Sequence, residues 1–88
     1  MDYEWDLVKA GRNILKHGVS FETAKSFDWD RAAIMEDRRR DYGEARFIAV
    51  GTIEQRLHVL VFTRRGNKIR VIGLRKANER ERLRYERP

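Results

Sequence analysis

The segment LHVLVFTRRGNKIRVIGL, residues 57–74, constrains the fold of this chain more than any other, because two apolar runs flank the dipeptide Gly66-Asn67. Both residues of the dipeptide tolerate positive φ, as a two-residue hairpin turn of the primed type requires. Such a turn pairs Arg65 with Lys68 and fixes the register of both strands. The segment therefore predicts an antiparallel hairpin at the centre of the fold.

This register places His58 opposite Arg75, so that an imidazole and a guanidinium share one face of the sheet. The other face is aliphatic and suits a covering helix. It consists of Leu57, Val59, Val61, Ile72 and Leu74, with Val61 opposite Ile72 and Val59 opposite Leu74. A shift of one residue would move one strand's side chains to the other face, so the prediction depends on the turn.

The chain before the hairpin predicts two helices. The first lies in WDLVKAGRNILKHG, where apolar residues recur at helical spacing, Asp6 is the N-cap and HG is the stop signal. A short second helix, capped by Ser20, should bury Phe21, Ala24 and Phe27.

Strands are predicted at AAIMED and at residues 45–53, 57–65 and 68–74, with the charged run RRRDYGE as a solvated loop. The last segment, GLRKANERERLRY, predicts a helix with few apolar contacts. The predicted fold class is therefore α+β: one small domain, residues 1–88, with two N-terminal helices, an antiparallel sheet of three to four strands and a C-terminal helix.

Composition narrows the class of protein. The 88 residues include no cysteine, so the fold should rest on packing rather than on disulfides or thiolate metal sites. We find no signal peptide and no apolar run of about 18 residues, which predicts a cytoplasmic protein without a membrane span.

Residues 1–63 carry 10 basic and 11 acidic side chains, whereas residues 64–88 carry 10 basic and 3 acidic. This concentration of positive charge predicts a polyanionic partner, either a nucleic acid or an acidic protein.

Two groups of side chains near the hairpin are candidates for chemistry. Histidine exchanges protons readily at neutral pH, so His58 is a candidate general base or acid; the alternative is an ordinary hydrogen-bonded strand histidine. A cluster of cations at the hairpin tip suits bidentate phosphate contacts, or else only protects a sheet edge. The cluster consists of Arg64, Arg65, Lys68 and Arg70.

A third group lies in the C-terminal segment. Glu81 and Tyr85 are four residues apart and share a face of the predicted helix, and Arg75 lies just before it. This trio offers a carboxylate, an aromatic hydroxyl and a cation, although a solvated helix with internal ion pairs explains it equally well. The acidic stretches DWD and MED do not fit a metal-ligand pattern, so no metal site is predicted.

Three stretches in order, WDLVKAGRNILKHGVSFETA, ARFIAVG and RLHVLVFTRRGNKIRVIGLRKANERERLRY, resemble the BrnT toxin family over nearly the whole chain. The most specific part combines KHGVSFE with an Arg-x-Ala-x-x-x-Glu-x-x-x-Tyr pattern, matched by Arg75, Ala77, Glu81 and Tyr85. One departure is Gly73, where members often carry serine, so any hydroxyl contribution is missing here. The resemblance implies a type II toxin of RelE-like architecture that acts as a ribonuclease and arrests translation.

The same resemblance implies a partner. A cognate BrnA-like antitoxin would wrap the toxin, form a hetero-oligomer with it and, through its own DNA-binding domain, contact operator DNA and repress their shared operon. Two other functions fit the same residues. One is a non-catalytic nucleic-acid-binding module, and the other is a catalytically decayed toxin that still binds its antitoxin.

Metal-independent RNA cleavage needs a base for the 2′-hydroxyl, cations for the phosphate and a proton for the departing 5′-oxygen. We expect His58 or Glu81 to be the base, and Arg64 and Arg75 to contact the scissile phosphate. No cofactor is expected. Further RNA contacts are expected from Arg46, Arg70, Arg80 and Tyr85, the last by stacking on a base.

Overall fold

A computed structural model describes residues 1–87 and contains five β-strands, two α-helices and one 3₁₀ segment. In chain order these are β1 (Asp2–Glu4), α1 (Leu7–His17), the 3₁₀ segment Phe21–Ser26, β2 (Ala33–Asp37), β3 (Arg46–Ile53), β4 (Arg56–Arg65), β5 (Lys68–Lys76) and α2 (Glu79–Glu86). The strands form one sheet in the order β1-β5-β4-β3-β2. Within the described residues, neither helix has the length and hydropathy needed to cross a bilayer.

The predicted fold class is wrong in three respects. The sheet has five strands rather than three or four, it is mixed rather than antiparallel, and one N-terminal α-helix is present rather than two. The strand that was missed, β1, has three residues and pairs parallel with β5, where Arg70 donates a hydrogen bond to the Glu4 carboxylate at 2.8 Å. Parallel strands are not joined by a tight turn, so nothing local in the sequence signals this pairing.

The segment predicted as a second helix is a 3₁₀ stretch. Ser20 caps it as predicted, because its hydroxyl accepts a hydrogen bond from the Glu22 backbone N–H at 3.2 Å. A 3₁₀ helix has three residues per turn, so side chains three apart fall on one side of it. Phe21, Ala24 and Phe27 have that spacing and are all buried, which confirms their inward direction but not the α-helix.

The central hairpin forms at the predicted turn, where Arg65 pairs with Lys68. The predicted register holds as far as the Phe62–Val71 pair. Beyond it β5 carries one extra residue, Ile72, which produces a β-bulge. A bulge leaves no clear mark in the apolar pattern, so the sequence predicted an unbroken ladder.

Every partner after the bulge is shifted by one residue. Val59 pairs with Arg75, and His58 pairs with Lys76, so the predicted pair of His58 with Arg75 is wrong. Neighbouring residues of a strand point to opposite faces, so His58 and Arg75 lie on opposite faces of the sheet. The same shift overturns the predicted pairs Val61–Ile72 and Val59–Leu74.

The hydrophobic core lies on one face of the sheet, under the 3₁₀ segment. Phe62 of β4 is fully buried, stacks on Phe47 of β3 and meets the edge of Trp29 with 5.1 Å between ring centroids. The ring of Phe27 lies directly over Gly51, where a Cβ atom would be 2.7 Å from the Phe27 Cζ. Glycine at this position lets the 3₁₀ segment pack closely on β3.

Helix α1 has the predicted ends, with Asp6 as N-cap and Gly18 in the left-handed conformation at φ +70°. It is attached to the sheet through the buried Asn13, whose Nδ2 donates to the Leu74 carbonyl at 2.7 Å and whose Oδ1 accepts from the Leu74 N–H at 3.2 Å. Strand β1 pairs only with residues 68–70 of β5. Asn13 therefore satisfies backbone groups on the β5 edge that a neighbouring strand would otherwise pair.

Candidate functional site

The sheet face opposite the core is partly open and forms a groove of about 930 Å³. Apolar side chains from β2, β3 and β4 form its floor, while arginines and helix α2 form its rim. The residues that line this groove are Arg31, Ala32, Ala33, Met35, Arg39, Ile48, Val50, Val59, Val61, Arg75, Glu81, Arg84 and Tyr85.

Strand register explains the apolar floor. Ile48 pairs with Val61 and Val50 pairs with Val59, so their four side chains form a continuous patch on one face. Met35 of the edge strand β2 extends the patch and is 62% exposed. An apolar sheet face that is only partly covered offers a surface on which a flat apolar group can lie.

Arg75 and Glu81 form a two-bond ion pair at one end of the groove. The Arg75 Nη1 and Nη2 each donate to one Glu81 carboxylate oxygen at 2.7 Å. The Glu81 Oε1 also accepts from the Asn78 backbone N–H at 2.9 Å, and the Asn78 Oδ1 accepts from the Glu81 N–H at 2.8 Å, which forms the capping box of α2. Strand β5 and helix α2 together hold the Arg75 guanidinium in place.

This ion pair sets the charge of Glu81. Hydrogen bonds from Arg75, and secondarily from the Asn78 N–H, lower the pKa of the Glu81 carboxyl to about 2. The same pairing raises the pKa of Arg75 above its ordinary value. At neutral pH Glu81 is therefore ionised, and both of its oxygens already accept hydrogen bonds. These contacts suit Glu81 to orienting Arg75 more than to accepting a proton from a substrate.

Stability should decline in acid partly because of this pair. The folded-state pKa of Glu81 lies below the unfolded value of about 4.3, so its contribution is fully present above about pH 5 and is lost as the pH falls towards 2. The expected loss is only about 1 kcal/mol, since the Arg75 and Glu81 side chains are 37% and 29% exposed and water screens them. Urea unfolding at pH 6 and pH 3 should show a smaller difference in Glu81→Gln than in the wild type.

The matched control for this experiment is Glu79→Gln, which removes a 79% exposed carboxylate from the same turn of α2. It should keep the wild-type difference between the two pH values. An identical difference in the wild type and Glu81→Gln would contradict the assignment.

A second polar cluster lies at the β2 edge of the groove. Asp37 is 6% exposed and accepts hydrogen bonds at 2.9 Å from the Arg39 Nε, the Arg39 Nη2 and the Tyr42 hydroxyl, which hold its pKa well below the ordinary range. The Arg46 guanidinium lies 4.2 Å from the centroid of the Tyr42 ring. Its buried Nε makes no hydrogen bond within residues 1–87, and the Glu44 carboxylate is 3.9 Å away. This cluster holds Arg39 at the rim of the groove.

Helix α2 closes the opposite side. The Tyr85 hydroxyl donates to the Arg31 carbonyl oxygen at 2.6 Å, which joins the C-terminal helix to the segment before β2. Arg84 of the same helix also lines the groove, so Arg31, Arg39, Arg75 and Arg84 surround the apolar floor. A cationic rim and an apolar floor suit an anionic ligand that has flat apolar parts.

The structure brings together three of the residues predicted to act on RNA, because Arg75, Glu81 and Tyr85 all line the groove. Arg46 lies beside the groove but does not line it. Arg80 faces a separate depression along α2. Glu81 and Tyr85, which share a face of the predicted helix, thus form a spatial cluster with Arg75 just before that helix.

Three other predicted residues lie elsewhere. His58 is 6% exposed on the core face, and its Nδ1 donates to the Arg56 carbonyl oxygen at 2.8 Å. Arg64 is on the same face of β4, 6.0 Å from the ring centroid of Phe47. Arg70 is ion-paired with an acidic residue of β1 at 2.8 Å. The roles predicted for these three residues stay predictions.

Sequence reasoning missed Arg31 and Arg39 as groove residues. Arg39 belongs to the run RRRDYGE, interpreted as a solvated loop, and Arg31 follows the acidic stretch DWD. Both arginines reach the groove only because β2 lies at the edge of the sheet beside β3. The charged run was the one available signal, and it does not indicate which arginine would turn towards the sheet.

Among residues 1–87, Glu81 is the one carboxylate that lines the groove, and Arg75 already occupies both of its oxygens. Across residues 1–87, no three His, Asp or Glu side chains lie close enough to bind a metal ion together.

The fold and the groove define a small sheet protein whose open face has an apolar floor and a rim of arginines. The chain belongs to the BrnT family, since a family model described as "Ribonuclease toxin, BrnT, of type II toxin-antitoxin system" matches residues 5–81. The resemblance found in the sequence is therefore confirmed, and membership of this family implies an antitoxin partner. Comparison with curated proteins found no match.

Proposed function

We propose that this protein cleaves RNA in the groove without a metal ion and thereby stops translation and growth. The observation that carries the proposal is the Arg75 guanidinium, fixed by two hydrogen bonds to Glu81 beside an apolar floor. A guanidinium held in a rigid fork suits bidentate contact with a phosphate. Membership of a ribonuclease toxin family supports the same conclusion.

The arginines would stabilise the phosphate during cleavage. Arg75 has five N–H donors, of which Glu81 engages two, so donors remain for a phosphate oxygen. Arg31 and Arg84, which form no ion pair within residues 1–87, add positive charge around the same floor, while Arg39 is paired with Asp37. Fixed donors that face developing negative charge lower the barrier to phosphoryl transfer. These cations and the fixed donors of Arg75 support a reaction that needs no metal ion.

The floor and Tyr85 would hold the bases. Single-stranded RNA exposes the flat faces of its bases, which pack on aromatic and apolar side chains. Met35, Val50 and Val61 provide such a surface. The Tyr85 hydroxyl is bonded to the Arg31 carbonyl, so its ring is the part that contacts a base.

Proton transfer completes the reaction. The 2′-oxygen attacks the phosphorus and loses its proton, and the departing 5′-oxygen gains one. Of the two bases predicted from sequence, Glu81 is the one in the groove, but a pKa of about 2 makes it a weak base, so we assign it to orienting Arg75. His58 lies on the opposite face and is left out of the proposed reaction. Water carries the protons, and charge stabilisation provides most of the rate enhancement.

The proposed biology follows from the family. The whole chain, residues 1–88, acts as one toxin domain in the cytoplasm, where messenger RNA is translated. A BrnA-like antitoxin forms a hetero-oligomer with it, covers the groove when the toxin is silent and binds operator DNA to repress the shared operon. The toxin reaches that DNA only through the antitoxin.

One observation favours a second candidate, a module that binds RNA without cleaving it. Within the described residues 1–87, those that line the groove include no histidine, and the single carboxylate among them has a low pKa. A groove of this kind can bind phosphates without supplying a base. The binding module predicts affinity that falls with salt, and no cleavage.

Expression of the protein alone in bacteria should stop growth, and the purified protein should cut RNA in the presence of EDTA. Attack by the 2′-hydroxyl should leave fragments that end in a 2′,3′-cyclic phosphate. Growth curves and end analysis of the fragments measure these outcomes, and co-expressed antitoxin should restore growth. A folded protein that leaves growth and RNA unchanged would contradict the proposal. Salt-sensitive RNA binding with no cut would support the binding module instead.

A further inference from the structure

Helix α1 presents its apolar side chains to solvent. Leu7 is 81% exposed, Val8 62%, Ile14 50% and Leu15 89%. The side chain of α1 that is buried against β5 is the polar Asn13. At about 100° per residue, the apolar residues cover a face about 120° wide, centred opposite Asn13. This surface, called the α1 stripe, consists of Leu7, Val8, Gly11, Ile14 and Leu15.

Gly11 lies in the middle of the α1 stripe and is not required by the packing of this chain. A Cβ atom at Gly11 would meet nothing within 4 Å. Glycine inside a helix lowers the stability of the helix relative to alanine. Gly11 therefore does not stabilise the folded protein through a contact of its own. A position without a side chain lets the backbone of another molecule approach closely. The α1 stripe therefore has the shape of a contact site.

Arg12 borders the α1 stripe on one side, and Lys16 and Lys9 lie further round the same side of the helix. Helix α1 contains no acidic residue. None of the three forms an ion pair with another residue in the part of the chain that the structure describes. An apolar stripe edged by unpaired cations is complementary to an amphipathic helix whose apolar face is edged by carboxylates.

We propose that the α1 stripe anchors an acidic amphipathic helix of the antitoxin. This inference rests on the antitoxin that the family implies, and not on the RNA cleavage proposed for the groove. A second copy of this chain is a poorer occupant, since two facing stripes would bring like charges together. Ala10 of α1 packs against the core cluster, whereas the groove lies on the other sheet face, so the two surfaces are separate.

Titration calorimetry with the antitoxin encoded beside the toxin gene tests the proposal. The toxin is co-expressed with that antitoxin, separated in denaturant and refolded. The double substitution Leu7→Glu/Leu15→Glu is expected to raise Kd about 100-fold or more, because it places two carboxylates in an apolar contact. Arg12→Glu/Lys16→Glu should raise Kd about tenfold at low salt. The matched control Ile34→Glu, on a 46% exposed side chain of β2, should change Kd by less than about threefold.

An unchanged Kd for the Leu7→Glu/Leu15→Glu variant, with its circular dichroism intact, would overturn the proposal. A toxin dimer in sedimentation that the same variant dissociates would also overturn it, because a second copy would then be the occupant. Binding is measured without RNA. A toxin that binds its antitoxin through the α1 stripe but cuts no RNA would therefore contradict the proposed RNA cleavage and leave the antitoxin contact supported.

Discussion

Replacing Arg75 with alanine is expected to reduce RNA cleavage about 100-fold or more while leaving the fold intact, since loss of one fixed donor to a developing charge typically has an effect of this size. The Arg75 side chain is 37% exposed and is not part of the hydrophobic core, so its removal leaves the core packing unchanged. Arg75→Lys should also fail, because an ammonium cannot form the two-bond fork to Glu81 and still face a phosphate. Gel analysis of a defined RNA, with circular dichroism of each variant, measures the result.

The matched control is Arg82→Ala. Arg82 lies on α2, ion-pairs with Glu79 and Glu86, and does not line the groove. His58→Asn keeps an N–H donor near the position of Nδ1 and tests the residue on the other face of the sheet. Both controls should cleave RNA within about threefold of the wild type, a difference well under 1 kcal/mol in barrier. Full activity of Arg75→Ala would place the active site outside the groove.

Asn13→Ala is expected to lower the free energy of unfolding by about 2–3 kcal/mol, because it leaves buried backbone groups without partners. Asn13 satisfies the Leu74 N–H and carbonyl on the edge of β5 and also donates to the Val19 carbonyl at 2.9 Å. These bonds join α1 to the sheet, and the other α1 side chains contribute little burial. For a domain of this length the loss should lower Tm by about 10–20 °C.

Lys9→Ala is the control for this prediction, since it changes an exposed residue of the same helix to alanine without touching the sheet. Urea unfolding followed by circular dichroism measures both variants. An ordinary surface substitution changes the free energy of unfolding by less than about 0.5 kcal/mol. If Asn13→Ala lowers the free energy of unfolding by no more than that, α1 is held by other contacts.

Local signals predicted the elements that depend on neighbouring residues. The Gly66-Asn67 turn, the helix cap at Asp6 and the glycine stop at Gly18 are confirmed. Elements that depend on distant pairing were not predictable. Strand β1 forms only because β5 offers it a parallel partner, and the bulge at Ile72 appears only when β5 is laid against β4.

Helix α1 illustrates a different limit of prediction from sequence. Its apolar spacing correctly predicted a helix, but an apolar face is ordinarily taken to face the core. Here Asn13 faces the sheet and the apolar residues face solvent. Periodicity identifies the faces of a helix and cannot indicate which of them the rest of the chain will cover.

The candidate site was partly predictable, because some of its residues are close together along the chain and others meet only through distant strand pairing. Arg75, Glu81 and Tyr85 come together because β5 leads directly into α2, so their proximity was visible in the sequence. The pairing of His58 with Arg75 failed because one extra residue in β5 moved Arg75 to the other face. Arg31 enters the groove through sheet order alone, which no local pattern records.

The central claim, that RNA lies in the groove, is tested most directly by mapping NMR shift changes with an RNA that carries a 2′-deoxy substitution at the cleavage site. We expect the largest changes on the groove face, at Val50, Val61 and Tyr85, and at Arg75 beside them. The core face around His58 should change little. Changes that cluster at the core face or on α1, with the groove unaffected, would contradict the claim.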